Sequence, residues 1–123
     1  MELSLHLVAA EAAASKTMES TVVIEVGPLM GITDFFVVTA GRNDRQVRSI
    51  VDEVTSRVRA AGGGSVRRIE GLQAATWVLL DYGDFVVHVF DAEAREYFSL
   101  ERLWADAPRV EWDGQLSSEA ASS

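Results

Sequence analysis

A chain of 123 residues without cysteine, with nine glycines, two prolines, 48% hydrophobic and 24% charged residues, fits one globular domain with its own core. The missing thiols exclude cysteine catalysis, cysteine-ligated zinc and a disulfide scaffold, and they suit a reducing compartment. Nineteen acidic against eleven basic residues give a net charge of −8, of which −5 precedes Ala105, so phosphate backbones are repelled, little direct nucleic-acid binding is expected, and a basic protein partner is attracted.

The Ala-rich start reads as neither a secretory signal nor a membrane span. Glu2 stands where a basic n-region belongs, Glu11 interrupts the apolar run, and no stretch approaches the ~18 apolar residues that spanning requires. Leu3, Leu7, Ala10, Ala14 and Met18 recur at helical spacing, which predicts an amphipathic helix over residues 3 to 18 packed on the domain. Thr21 to Val26 is β-branched and apolar, Gly27 and Pro28 turn the chain, and Phe35 to Thr39 is a second strand. After Gly41, either Asn43 or Asp44 can cap a helix whose Val47, Ile50, Val51, Val54, Val58 and Ala61 form one buried stripe, ended by Gly62 to Gly64. Val66 to Ile69 offers a short third strand. Residues 34 to 69 therefore read as strand, helix and strand with a right-handed parallel crossover, which puts the domain in the α/β class. Arg42, Arg45 and Arg48 recur near the helix start, where backbone N–H groups can hold an anion. No phosphate-loop glycine pattern accompanies them, and arginines opposite a buried stripe are usually a solvated face.

Trp77 to Phe90 is the most informative stretch. Two strand-like runs, Trp77 to Asp81 and Asp84 to Phe90, are separated by Tyr82 and Gly83, which predicts a hairpin with a two-residue loop. In that register Asp81 faces Asp84, Leu79 faces Val86, Trp77 faces His88 and Ala75 faces Phe90, all on one side of the sheet. The other side carries Val78, Leu80, Phe85, Val87 and Val89 and must be core beneath the long helix. Each notable residue also has a plain structural explanation. Aspartates beside a tight turn are common because turns are solvated. A tryptophan is more often core than interface, although it is enriched at interface hot spots. A single histidine is usually a hydrogen-bonded, partly buried one rather than a metal ligand or acid–base catalyst. His6, the only other histidine, lies on a distant helix, so no metal-ligand spacing arises. Asp81 and Asp84 could hold Mg²⁺, but further converging carboxylates and a phosphate-holding loop are missing from the sequence.

After the hairpin, Tyr97, Leu100 and Trp104 recur as a stripe expected to pack along its edge. Residues 105 to 123 lose apolar periodicity and read as a flexible acidic tail, which gives a domain of residues 1–104 followed by a tail of residues 105–123.

The runs Thr33-Asp34-Phe35-Phe36-Val37-Val38, Asp44-Arg45-Gln46-Val47 and Glu70-Gly71, above all the unbroken run Trp77 to Phe90, and then Tyr97 and Leu100-Glu101-Arg102-Leu103-Trp104 resemble the ribosomal silencing factor (Iojap) family over about residues 3 to 106. The resemblance implies a single α/β domain, a mixed β-sheet with helices packed on it, similar to nucleotidyltransferases but without their catalytic site. It implies a cytoplasmic protein, frequently a homodimer, that binds the large ribosomal subunit through that subunit's protein fourteen. By blocking subunit joining sterically, such a protein represses translation under nutrient limitation; no membrane, cofactor, metal or catalytic step is implied. The residues on which the resemblance and the hairpin register meet are Trp77, Leu79, Asp81, Tyr82, Asp84 and His88, with Leu100 and Trp104 bordering them; these form the expected partner-binding set. The alternative is a metal-dependent nucleotidyltransferase using Asp81 and Asp84. Phe85 departs from the smaller β-branched residue usual in the family, at a position the register assigns to the core. The tail after Pro108 has no family counterpart, which leaves Trp112 open.

Overall fold

The structure, a computed structural model, describes residues 4–112. Helix α1 (Leu5–Ala14) is followed by strand β1 (Val22–Glu25), the single turn α2 (Gly27–Met30), β2 (Phe35–Gly41) and the long helix α3 (Asp44–Val58). The hairpin region comprises β3 (Arg68–Glu70), β4 (Trp77–Asp81) and β5 (Phe85–Asp91), after which come α4 (Ala92–Phe98), α5 (Leu100–Leu103) and β6 (Arg109–Val110). Six strands form one mixed sheet in the order β3-β4-β5-β2-β1-β6, with β2 and β5 parallel and every other pair antiparallel. The α/β class and the mixed sheet agree with the sequence reading.

One sheet face is covered by α1 and α3. The α3 stripe is buried as its spacing predicts, through Val47, Ile50, Val51, Val54 and Val58, each aliphatic side chain contributing roughly 1.5–3 kcal/mol of burial free energy. Asn43 is the cap, accepting from the Gln46 N–H at 2.8 Å. Below α3 lie Val78, Leu80, Phe85, Val87 and Val89, all buried, as the hairpin pattern required. Helix α1 is shorter than the predicted span. It buries Ala9, Ala10, Ala12 and Ala13, whose small side chains allow a close approach to α3, while Met18 is 94% exposed and Leu3 lies outside the described residues. Ala61 falls beyond the end of α3, in a wider turn over Arg59–Gly63.

Three expectations are corrected. The strand after α3 does not pair beside β2: β3 is the sheet edge, antiparallel to β4, with β4 and β5 between it and β2. The parallel partner of β2 is β5, whose continuous apolar run supplies a strand buried on both faces, where parallel pairing is stable. The stripe Tyr97, Leu100, Trp104 does not form, because Ser99 takes a left-handed conformation (φ 50°) that breaks the segment into α4 and α5; Tyr97 is then 81% exposed and Leu100 buried. Finally, the chain after Trp104 is not a free tail. Arg109–Val110 pairs with β1, Glu25 donates its N–H to the Pro108 carbonyl at 2.8 Å, and Trp112 is buried in the core beside α1 and α3. The packed domain therefore extends at least to Trp112.

Candidate partner-binding surface

The β4–β5 hairpin closes on Gly83 and Asp84, not on Tyr82 and Gly83. Tyr82 donates its N–H to the Phe85 carbonyl at 3.0 Å, Gly83 takes φ +90°, and Asp81 Oδ1 accepts from the Gly83 N–H at 2.8 Å. The physical reason is that both favoured two-residue hairpin turns need a positive φ at their first central position, which glycine adopts freely and tyrosine does not. Every partner consequently shifts by two: Trp77 pairs with Phe90, Leu79 with His88 and Asp81 with Val86. A shift of two leaves side chains on their predicted faces. Trp77, Leu79, Asp81, Val86 and His88 do share one face, but the expected opposition of Asp81 and Asp84 is absent. Ala75 lies before the strand, at φ 57°.

The loop ahead of β4 fixes where Trp77 starts. Arg48 donates from both terminal nitrogens to the Leu72 and Gln73 carbonyls, at 3.0 and 2.8 Å, so this arginine clamps the loop to α3 rather than facing solvent. At Gly71 the φ is +83° and a Cβ would clash with the Trp77 carbonyl oxygen. Gly71→Ala is therefore expected to cost upward of about 2 kcal/mol, because the strain of a left-handed alanine adds to a clash with fixed backbone. Chemical denaturation measures this; an unchanged midpoint would show that the loop can shift without penalty.

Trp77 is half-buried. Its ring packs on Phe90 and Phe98, with centroids at 4.9 and 4.8 Å, and its indole N–H donates to His88 Nδ1 at 3.1 Å. The two residues are diagonal neighbours on the ladder, a spacing that large side chains bridge. His88 is 4% exposed, and Phe36 meets it edge-on at 4.5 Å. An indole can only donate, so Nδ1 is the acceptor and the ring proton sits on Nε2. Burial pushes the His88 imidazole down to about 4. The neutral ring thus stabilises the fold in full above pH 6.5, and that stabilisation, about 3 kcal/mol, is lost between pH 6.5 and 4 as the unfolded chain takes up the proton first. Denaturation of wild type and His88→Asn at pH 7 and pH 4.5 checks this: wild type should lose more stability on acidification, and an equal loss in both proteins counts against a buried neutral His88. His6, stacked on Phe35 at 3.9 Å, is lowered by burial against an opposing pull from Asp34; it acts in the same direction in both proteins.

Beside this cluster lies a groove of about 440 Å³. Ile32, Phe36, Leu79 and Val86 supply its apolar walls, and Arg67, Arg68 and Asp81 its polar rim. Arg68 is engaged with Glu70 at 2.9 Å and reaches Asp81 at 3.9 Å.

Of the expected set, Trp77, Leu79, Asp81 and His88 come together here. Tyr82 does not: it points to the opposite face, stacked on Phe85 at 4.8 Å and packed against the α1/α3 core. Asp84 is an exposed turn residue whose main-chain carbonyl accepts from the Asp34 N–H at 2.8 Å. Leu100, at the start of α5, is enclosed in a second core on the other sheet face, with Val22, Ile24, Val38 and Phe90. Trp104 adjoins the group through Phe36, edge-to-face at 5.7 Å. Sequence reasoning missed Ile32 and Phe98, which are 80% and 48% exposed, and Thr33 on the groove wall. Their only sequence signal is their apolar or turn character close to the hairpin's neighbours.

Among the described residues, no group of three or more histidine, aspartate and glutamate side chains is arranged to hold a metal ion, and no helix is long and apolar enough to cross a membrane.

Comparison with known proteins gives concordant results. Residues 2–123 match the family described as ribosomal silencing factor during starvation. A ribosomal silencing factor of Halalkalibacterium halodurans is 40% identical over 109 residues, covering 89% of this chain and 92% of that protein; its Bacillus subtilis counterpart is 36% identical over 110 residues with the same coverage of each. A mouse protein named for mitochondrial assembly of the ribosomal large subunit is 33% identical over 101 residues, 80% of this chain and 43% of its own length. Among solved structures, a Chromobacterium violaceum protein superposes with a TM-score of 0.79 at 29% identity, covering 85% of this chain and 88% of that one. A Bacillus halodurans structure superposes with a TM-score of 0.73 at 37% identity, covering 87% and 96%.

Proposed function

The chain belongs to the ribosomal silencing factor family, and from that premise we propose that it binds the large ribosomal subunit through that subunit's protein fourteen, blocks joining of the small subunit sterically, and so represses translation when nutrients are short. It does this without catalysis, in the compartment where ribosomes work, and as a homodimer when free. The observation that carries the reading is the half-buried Trp77, held by His88 next to an apolar groove with a charged rim on a chain of net charge −8. An aromatic anchor inside a polar rim is the anatomy of a protein-binding hot spot, and acidity favours a basic ribosomal protein. The nucleotidyltransferase alternative draws nothing from the hairpin, since Asp84 sits in the turn and Asp81 pairs with Val86 instead of facing it.

Sucrose-gradient cosedimentation with separated subunits tests this. The protein should travel with the large subunit, not the small one, and should lower the fraction of joined ribosomes in a mixture. Failure to comigrate, or Mg²⁺-dependent nucleotidyl transfer, would refute it. Charge at the rim should act mainly on the encounter. Replacing Asp81 and Asp84 together by Asn, which preserves the Asp81 acceptor, is expected to slow association by roughly tenfold at low salt and to flatten its salt dependence. An unaltered salt slope would remove these carboxylates from the encounter surface.

A further inference from the structure

Two buried polar atoms without any hydrogen-bond partner among the described residues, His88 Nε2 and Thr33 Oγ1, belong to residues that line the same groove. Orphaned buried donors are costly, typically 1–3 kcal/mol each, and a pair of them in one place calls for a reason. Their chemistry narrows what could satisfy them. His88 Nε2 carries the ring proton, because Nδ1 already accepts from Trp77, so it can only donate. The Thr33 hydroxyl can donate as well. Both donors are uncharged and the walls around them are apolar; of the two rim arginines, Arg68 is engaged with Glu70 and Asp81, and the Arg67 guanidinium lies over Gly83 at the hairpin turn. The groove floor therefore suits a neutral acceptor rather than a phosphate or carboxylate. The neutral acceptor that every protein surface offers, attached to side chains that can fill an apolar groove, is the main-chain carbonyl.

We propose that the groove seats a segment of the docked basic protein partner, that seating it uncovers the buried His88 Nε2–H and Thr33 hydroxyl, which donate to main-chain carbonyls of that segment, and that His88 Nδ1 meanwhile holds the Trp77 indole in its docking orientation. This rests on the reading that the Trp77 face binds the large subunit. His88 is then a two-sided residue, one nitrogen positioning the aromatic anchor and the other contacting the partner. Thr33 is a contact residue whose hydroxyl has no hydrogen-bond partner among the described residues.

The test uses full-length protein and purified large ribosomal subunits. Thr33→Val keeps the side-chain shape and deletes the orphan hydroxyl. It should leave the melting temperature unchanged or raised while weakening large-subunit binding about fivefold, a combination that a purely structural threonine does not give. The two ring nitrogens separate by amide mimicry: His88→Asn keeps an acceptor near the Nδ1 position and loses the outer donor, whereas His88→Gln keeps a donor near Nε2. Asn should weaken binding at least tenfold with the near-ultraviolet circular dichroism of the tryptophans preserved; Gln should perturb that spectrum while retaining more of the binding than Asn. Long-range nitrogen–proton spectra of the free protein should show His88 with its proton on Nε2. The proposal is overturned if both Thr33→Val and His88→Asn bind as wild type, if the proton is on Nδ1, or if Thr33→Val alters self-association instead of subunit binding, which would make the occupant a second copy of the chain. Failure of wild type itself to bind large subunits removes the functional reading and this inference together, whereas tight wild-type binding with unaffected variants removes the inference alone.

Discussion

Trp112→Ala is expected to destabilise the domain by about 3–5 kcal/mol and to lower its melting temperature by roughly 10–20 °C, as does truncation of the chain after Pro108. Trp112 is 3% exposed, packs into the core beside α1 and α3, and donates its indole N–H to the Thr21 carbonyl at 3.3 Å. Removing the ring leaves a large cavity, an unpaired carbonyl and a β1 edge whose short β6 partner has lost its anchor. Truncation additionally deletes Arg109 and Val110, which pair with Ile24 and Val23. Trp112→Phe should be far milder, since most of the apolar area survives and about 1 kcal/mol of hydrogen bonding is lost. Calorimetry of the three proteins decides the matter. A melting temperature that does not change on truncation would return residues 109–112 to the status of a dispensable tail.

Trp77→Ala should weaken large-subunit binding by about 2 kcal/mol or more, roughly 30-fold, while destabilising the fold less than Trp112→Ala does. The contrast follows from position. Trp77 is only half-buried, with Phe98 beside it about half exposed, so truncation removes surface offered to a partner more than it empties a core. Part of the stability cost comes from His88, whose buried Nδ1 loses its donor. Trp77→Phe should keep the ring packing on Phe90 and Phe98 but not the hydrogen bond, and should fall between wild type and alanine in binding. Equilibrium binding and thermal unfolding are to be measured on the same preparations. If Trp77→Ala melts as low as Trp112→Ala and the folded fraction binds normally, Trp77 is a core residue and the docking face must be sought elsewhere.

These two tryptophans mark the reach of the sequence. Trp77 sits in a strand whose alternation assigns its face directly, and that assignment survives even though the hairpin closes two residues later than the spacing of the apolar runs suggests. The slip was itself legible: Gly83, not Tyr82, is the residue suited to the first position of the turn. Trp112 has no such pattern around it. A two-residue strand and one buried ring are too short to carry a periodicity, and their stability comes from β1 and α1, more than eighty residues away in the chain.

The sequence by itself determined the α/β class, the buried stripe of α3 with its cap narrowed to Asn43 or Asp44, the purely apolar face of the hairpin and, through a long specific run, the family. All of these are local: they depend on periods of two or 3.6 residues and on turn chemistry, which neighbours in sequence impose on one another. Only the tertiary structure decided that β2 pairs with β5 and leaves β3 at the edge, that Tyr82 and Leu100 are turned into the two cores, that Arg48 clamps the loop before Trp77, and that Thr33 and His88 open onto one groove. Each of these is set by packing between segments remote in sequence, where several pairings satisfy the same local pattern and the choice among them rests on which one closes both faces of the sheet with the fewest buried groups left unpaired.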